Sequence, residues 1–209
     1  MKIADNKLYI YESSRGVLNI FTLDGKFIKQ FSKKGQGPDE YLGGEDFLID
    51  EQDNTIEILS LQNEKVFVYN SKGNLQRTIN TNIPAYFFAK DKDGNYWLSK
   101  GAYNLDDVSN TNYKIYNINT TGKVIKKLLP DSCASNMPIT EINFSKYNDN
   151  LFYRIYFDDN VYKIVNGNVS ILYAFDFGRY TFPKEILQTS KINIFKTLLS
   201  GAICLLQKP

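Results

Sequence analysis

Gly35-Gln36-Gly37-Pro38-Asp39-Glu40-Tyr41, running on through Gly43-Gly44 into Phe47-Leu48-Ile49-Asp50, is the passage whose reading decides the fold. It is the longest turn-rich passage near the start of the chain, and a strand hairpin lies on either side of it. A Gly/Pro-dense loop that hands one antiparallel sheet to the next points to a repeat. Self-similarity at a period of tens of residues has to be settled before any other feature.

Four segments share one pattern of strand, short polar turn, strand, tight Gly turn and strand. The first runs Leu8-Tyr9-Ile10-Tyr11, Val17 to Phe21, Asp24-Gly25-Lys26, and Phe27 to Phe31. The second runs Ile56 to Leu59, Val66 to Tyr69, Ser71-Lys72-Gly73-Asn74, and Leu75 to Ile79. The third runs Tyr96-Trp97-Leu98, Tyr113 to Ile118, Thr121-Gly122-Lys123, and Val124 to Leu129. The fourth runs Leu151-Phe152-Tyr153, Val161 to Val165, Asn166-Gly167-Asn168, and Val169 to Phe175. Gly25, Gly73, Gly122 and Gly167 follow one another at steps of 48, 49 and 45 residues. Tight hairpins need φ > 0, which glycine supplies without a Cβ clash.

A further short strand precedes units two to four, at Phe47–Asp50, Ala85–Lys90 and Ile142–Tyr147. Each unit is then a four-stranded antiparallel meander of propeller-blade size. The first unit reads as lacking its innermost strand. A sandwich also carries many short strands; the fixed period with recurrent turn chemistry favours the propeller. The expectation is an all-β propeller of about four blades, over roughly 1–44, 45–82, 83–138 and 139–180. A short helical or irregular tail over 181–209 follows, suggested by Pro183-Lys184-Glu185 and by Ile194, Phe195, Leu198 and Leu199 at helical spacing.

Composition narrows function without naming it. A net charge of +2 on 209 residues gives no single-signed field, so nucleic acid is not an expected partner. The chain has no His, which removes the commonest general base, the usual Ser and Cys triads and the commonest transition-metal ligand. Cys133 and Cys204 stand 71 residues apart without metal-type spacing and read as small apolar residues. No apolar run reaches the roughly 18 residues that span a bilayer. The start, Met1-Lys2-Ile3-Ala4-Asp5, reads without a secretion signal. No cofactor and no metal are expected.

In a propeller the blade-joining loops and the loops between second and third strands share one face. That face would collect Gly35–Gly44, Asn80–Pro84, Gly101–Thr111 and Phe157-Asp158-Asp159. The third unit carries an insertion: Leu8 to Gly25 and Ile56 to Gly73 each span 17 residues, but Tyr96 to Gly122 spans 26. Long insertions on such faces often carry recognition, although loop length itself costs little. Candidate ligand-binding residues are Asp39 and Tyr41 in the first loop, Tyr103, Asp106 and Asp107 in the insertion, and Arg154 and Tyr156 in the fourth unit. Packing readings stand beside them: Tyr41 at a blade junction with Glu40 accepting backbone N–H bonds, and Arg154 lying on an aromatic ring. Glu45, Asp46 and Glu141 at strand entries are the carboxylates a hard cation would use, but no metal-loop spacing accompanies them.

Lys34-Gly35-Gln36-Gly37-Pro38-Asp39-Glu40-Tyr41 leading to Phe47–Asp50 resembles the loop and strand of the Bacteroides-type six-bladed β-propeller family, related in layout to NHL repeats. Ser145–Asp149, Phe157–Tyr162 and Asp176-Phe177-Gly178 resemble its later-blade motifs. The resemblance implies a periplasmic or cell-surface lipoprotein family and a non-catalytic module for an unknown protein or glycan ligand. A metal-dependent lyase- or lactonase-like propeller enzyme is the alternative. Four units against six imply an incomplete ring, hence a truncated and inactive product as a third reading, with self-association through open blade edges.

Overall fold

In the computed structural model, the residues described are 1–100, 112–131, 143–155 and 158–181. They form four four-stranded antiparallel sheets, each a simple meander, the blades of an all-β propeller fold. The first sheet is β1 (Lys2–Ala4), β2 (Lys7–Glu12), β3 (Val17–Thr22) and β4 (Phe27–Ser32). The second is β5 (Asp46–Asp50), β6 (Thr55–Ser60), β7 (Lys65–Asn70) and β8 (Leu75–Asn80). The third is β9 (Phe87–Lys90), β10 (Tyr96–Ser99), β11 (Asn112–Ile118) and β12 (Val124–Asp131). The fourth is β13 (Phe144–Tyr147), β14 (Asn150–Arg154), β15 (Asn160–Val165) and β16 (Asn168–Ala174), followed by a 3₁₀ turn at Gly178–Tyr180. The tail expected to be helical from Pro183 lies outside the described residues. The chain divides into two compact units, Met1–Ser99 with Tyr116–Lys126 and Lys100–Ile115 with Lys127–Pro209.

One expectation is corrected. The first unit does not lack a strand: β1 pairs with β2 from Lys2↔Tyr9 to Ala4↔Lys7. It is only three residues long, and its turn is Asp5-Asn6 at φ +46° and +54°. Asp and Asn tolerate that left-handed conformation, so a two-residue hairpin closes without a glycine to advertise it.

The hairpins between third and fourth strands use the glycines singled out by the period. Gly25, Gly73 and Gly122 stand at φ +87°, +88° and +87°. Each turn is closed by the side chain that opens it. Asn70 Oδ1 accepts the N–H groups of Lys72 and Asn74, Asn119 Oδ1 those of Thr121 and Lys123, and Thr22 Oγ1 that of Lys26. The fourth sheet turns more tightly through Asn166-Gly167 at φ +50° and +71°. The same side-chain device at Asp91, with Gly94 at φ +81°, joins β9 to β10.

Within the first unit, sheets one and two share a core. Tyr9, Leu18, Ile20 and Phe31 meet Phe47, Ile56, Ile58, Phe67 and Tyr69 there, with Tyr41 from the connecting loop. Phe31 and Tyr69 meet edge-on at 5.3 Å between centroids, and Tyr41 and Phe67 at 6.0 Å. Edge-on pairs of this kind add about 0.5–1.5 kcal/mol beyond area burial. Strand β6 is buried at every position and β10 likewise, because a sheet covered on both faces loses the in–out alternation of a half-exposed one.

Two of the turn glycines separate conformation from crowding. A Cβ on Gly25 would meet nothing, whereas one on Gly122 would overlap the Asn80 carbonyl oxygen. Gly25→Ala is expected to cost about 1–2 kcal/mol for the left-handed backbone alone. Gly122→Ala is expected to lose a further 1–3 kcal/mol, roughly, from overpacking against a backbone group that cannot rotate away. Urea denaturation of the two variants measures the difference, and equal losses would contradict the crowding argument.

Candidate functional site

The loop from β4 to β5 is built so that its backbone is fixed and its tip is displayed. The Glu40 carboxylate curls back to accept the Gly37 N–H at 2.8 Å. It fills the space a side chain at position 35 would need, since a Cβ on Gly35 would overlap Glu40 Oε2. The Gly35 N–H donates to the Tyr41 carbonyl and the Tyr41 N–H to the Lys33 carbonyl, each at 3.0 Å, which closes the loop at its base.

Tyr41 is fully buried. Its hydroxyl donates to the Gly16 carbonyl at 2.9 Å and receives the Lys33 N–H at 3.4 Å. Burial raises its pKa, and the Lys33 N–H opposes that rise. Three further ties hold the loop to β7 and to the neighbouring turns. The Tyr69 hydroxyl donates to the Asp39 carbonyl at 2.9 Å, the Leu42 N–H to Asn63 Oδ1 at 2.9 Å, and Lys34 Nζ to the Ser14 carbonyl at 2.9 Å. The blade-joining loop and the turns around Ser14 and Asn63 therefore lie side by side, as the propeller order requires. Gln36, Pro38, Asp39 and Leu42 remain exposed.

A second polar feature gathers the first strands of three sheets. Asp46 Oδ1 accepts the Phe47 N–H at 2.8 Å and Lys2 Nζ at 3.3 Å, while Oδ2 accepts the Phe88 N–H at 3.2 Å. Lys2 also donates to the Phe47 carbonyl and lies over its ring at 4.9 Å. At the other end of β5, Lys90 Nζ reaches Asp50 Oδ2 at 2.5 Å, Glu57 Oε1 at 3.2 Å and Asp53 Oδ2 at 3.6 Å, and sits 5.5 Å from the Tyr96 ring centre.

Burial opposes the Lys90 charge, but Asp50 and Glu57 outweigh it and the pKa is raised. Burial also opposes the Asp50 charge, and Lys90 with the Asp53 and Gln52 N–H groups holds that carboxyl below the usual range. Glu57 and Tyr96 are wholly buried, and among the described residues Glu57 Oε2 has no hydrogen-bond partner. A lysine whose pKa is raised stays protonated, so this arrangement acts as a clamp and not as a nucleophile or base. Among the described residues no three His, Cys, Asp or Glu side chains are gathered in a way that could hold a metal ion.

The candidate residues fall as follows. Asp39 and Tyr41 come together in the loop, Asp39 exposed and Tyr41 inside. Arg154 ends β14, exposed, with its N–H donating to the Asn143 carbonyl at 3.0 Å. Tyr103, Asp106, Asp107 and Tyr156 lie outside the described residues, as do Glu141 and the whole insertion. In the fourth sheet Asp158 accepts the Tyr162 hydroxyl at 2.6 Å and both the backbone and side-chain N–H groups of Asn160. Burial, then Asp158, pushes the Tyr162 hydroxyl up to about 12. Sequence reasoning passed over the Lys90–Asp50–Glu57 group. The signal was a carboxylate inside the apolar run Ile56-Glu57-Ile58 and a lysine closing Phe87-Phe88-Ala89-Lys90.

Known proteins place this architecture. The family model "Domain of unknown function (DUF4934)" matches residues 1–206. No curated protein matches the chain. A solved Bacteroides fragilis NCTC 9343 protein assigned as exported superposes with a TM-score of 0.70 at 19% identity, covering 84% of this chain and 49% of that one. A member of the DUF4221 family from Bacteroides vulgatus gives 0.55 at 14% identity, over 82% of this chain and 55% of that one. A streptogramin B lyase gives 0.55 at 13% identity, over 85% and 54%. At these identities the likeness is one of fold. The chain spans about half the length of each of these three proteins.

Removing the cation from the clamp should expose its role. Lys90→Met leaves Glu57 charged and buried, and the expected loss is about 3–5 kcal/mol. Pairing it with Glu57→Gln should recover much of that loss. The raised Lys90 pKa means its stabilisation is full below the unfolded-state value near ~10.4 and is lost as pH climbs through the folded value. The lowered Asp50 pKa means its share holds above roughly 3.9 and is lost as pH falls through the folded value. Denaturation midpoints across pH should show the alkaline limb vanish in Lys90→Met; an unchanged profile would rule the clamp out.

Proposed function

We propose that this chain, which belongs to the DUF4934 family, is a non-catalytic binding module of an extracytoplasmic propeller protein and engages a protein or glycan through its loop face. The observation that carries this reading is the β4–β5 loop, whose backbone is fixed from three directions while Gln36, Pro38, Asp39 and Leu42 face outward. A loop held in one conformation before contact loses little entropy on binding. An exposed apolar residue beside a carboxylate on such a loop suits a partner offering an apolar patch with a hydroxyl or amide donor.

The likeness to a Bacteroides protein assigned as exported supports an extracytoplasmic setting. The six-bladed, NHL-like ring implied by the sequence resemblance is part of the same reading, with the Gly101–Thr111 insertion and Arg154 contributing to the face. The fold likeness to a streptogramin B lyase brings no chemistry with it. The ionisable groups inside the first unit, Asp46, Asp50 and Lys90, are already paired with one another or with backbone.

Screening the intact chain on a glycan array and against secreted proteins of a Bacteroides host is the direct test. Asp39→Ala and Leu42→Asp are each expected to weaken the best ligand at least about tenfold, a loss of ~1.4 kcal/mol, with denaturation midpoints unchanged. Binding that ignores both substitutions, or turnover of a substrate without stable binding, would overturn the assignment.

A further inference from the structure

The carboxylates of the second sheet's inner strands are met in one recurring way, by a lysine ammonium seated over an aromatic ring. Asp46 receives Lys2, whose Nζ stands 4.9 Å from the centre of the Phe47 ring. Asp50 and Glu57 receive Lys90, whose Nζ stands 5.5 Å from the centre of the Tyr96 ring. In both places the cation offsets the cost of taking a carboxylate out of water, and the ring adds to its hold.

Glu45 breaks the pattern. It is half-buried, and its N–H donates to the Leu59 carbonyl at 2.8 Å, so it extends the β5–β6 ladder by one residue. Alternation along the strand puts it on the side of Phe47 and Ile49, which pack into the core shared with sheet one. Among the described residues no donor and no cation reaches its carboxylate, and burial alone raises its pKa. The cations of the adjoining turns are engaged elsewhere, Lys34 with the Ser14 carbonyl and Arg15 with Glu12.

The ring that the pattern calls for is already present. Tyr11 lies against Phe47 at 5.6 Å between centroids, and its hydroxyl sits so close to Gly44 that a Cβ there would overlap it. That hydroxyl is pushed up by burial, then by Tyr41, then by the charges of Glu45 and Asp46, which puts the Glu45 carboxylate beside it. Carboxylate and ring are thus assembled at the root of the β4–β5 loop, and the ammonium is not. Leu42, exposed, stands three residues ahead of Glu45 and is separated from it only by Gly43-Gly44.

We propose that Glu45 receives a primary ammonium group from outside the described residues, the lysine side chain of a partner docked at the loop face. The inference rests on the loop-face reading and gives that partner its chemistry. The lysine head meets Glu45 beside Tyr11, as Lys2 meets Asp46 beside Phe47, and its apolar stem crosses Leu42.

An NMR titration of the 209-residue chain tests it, following the Gly43, Gly44 and Glu45 amides. The probes are a capped pentapeptide with one central lysine, the same peptide with that lysine acetylated, and n-butylamine. The lysine peptide should shift all three amides saturably, and acetylation, which removes the charge, should weaken it at least about tenfold. Butylamine should shift the same amides more weakly than the peptide; an equal hold would overturn the assignment to a lysine side chain. Glu45→Gln should abolish the response while leaving the denaturation midpoint unchanged or higher, because it removes an uncompensated charge from a half-buried place. A midpoint that falls shows Glu45 already engaged within the chain and overturns the proposal, as does binding that ignores acetylation or Glu45→Gln. A longer form of this protein whose three amides do not respond overturns the assignment to a partner, since its own chain then fills the place. A loop-face ligand weakened by Asp39→Ala or Leu42→Asp but not by Glu45→Gln overturns this inference and leaves the loop-face reading standing.

Discussion

A strand at the edge of a sheet carries N–H groups that have to find partners outside it, and β5 meets that demand with Asp46. Its carboxylate holds the Phe47 N–H of its own strand, the Phe88 N–H of β9 and the Lys2 ammonium of β1. Three sheets are thereby registered at one side chain that is almost wholly buried. A charge in that position costs several kcal/mol of desolvation unless its lone pairs are filled, and here they are filled from three directions. Replacing any one partner leaves the carboxylate short of a donor and loosens two sheets together.

The packing around this point shows why the first and second sheets differ in pattern although they share a fold. Sheet two is covered on both sides, so β6 reads Thr-Ile-Glu-Ile-Leu-Ser with every residue buried, polar ones included. Glu57 can be there only because Lys90 arrives from β9 with a matching charge. The Lys90 ammonium lies over the Tyr96 ring and is shared among three carboxylates. Sheets one and two thus meet through rings, Phe31 on Tyr69, whereas sheets two and three meet through charges, Lys90 on Asp50 and Glu57.

Much of this was legible before any coordinates. The recurring turn glycines marked hairpins whose left-handed φ values are now explicit, and the spacing between them fixed the order of strands. Glu40 accepting a backbone N–H and Tyr41 packing at the junction follow from a loop that has to turn sharply and still bury its aromatic end. The first strand of the first sheet escaped notice because three residues closed by Asp5-Asn6 carry neither length nor glycine. The Lys90–Glu57 pairing escaped for a different reason. Residues 33 positions apart meet only after two sheets stack, and nothing local in either strand announces the other.

These observations bear on where a ligand could act. Acid–base chemistry needs a group whose pKa is moved toward the working pH and whose proton can leave. In the first unit Lys90 is raised, Asp50 is lowered, and the buried tyrosine hydroxyls of Tyr11, Tyr41, Tyr69 and Tyr96 are pushed up by desolvation, while burial also raises the Glu45 carboxyl. The Lys90 and Asp50 shifts favour the charged states that pair across the stacked sheets. In the proposed reading, recognition falls to surfaces whose side chains are free while their backbones are not. The β4–β5 loop meets that description through its three tethers. A fold that spends its buried charges on stacking is suited to presenting contacts on a firm base.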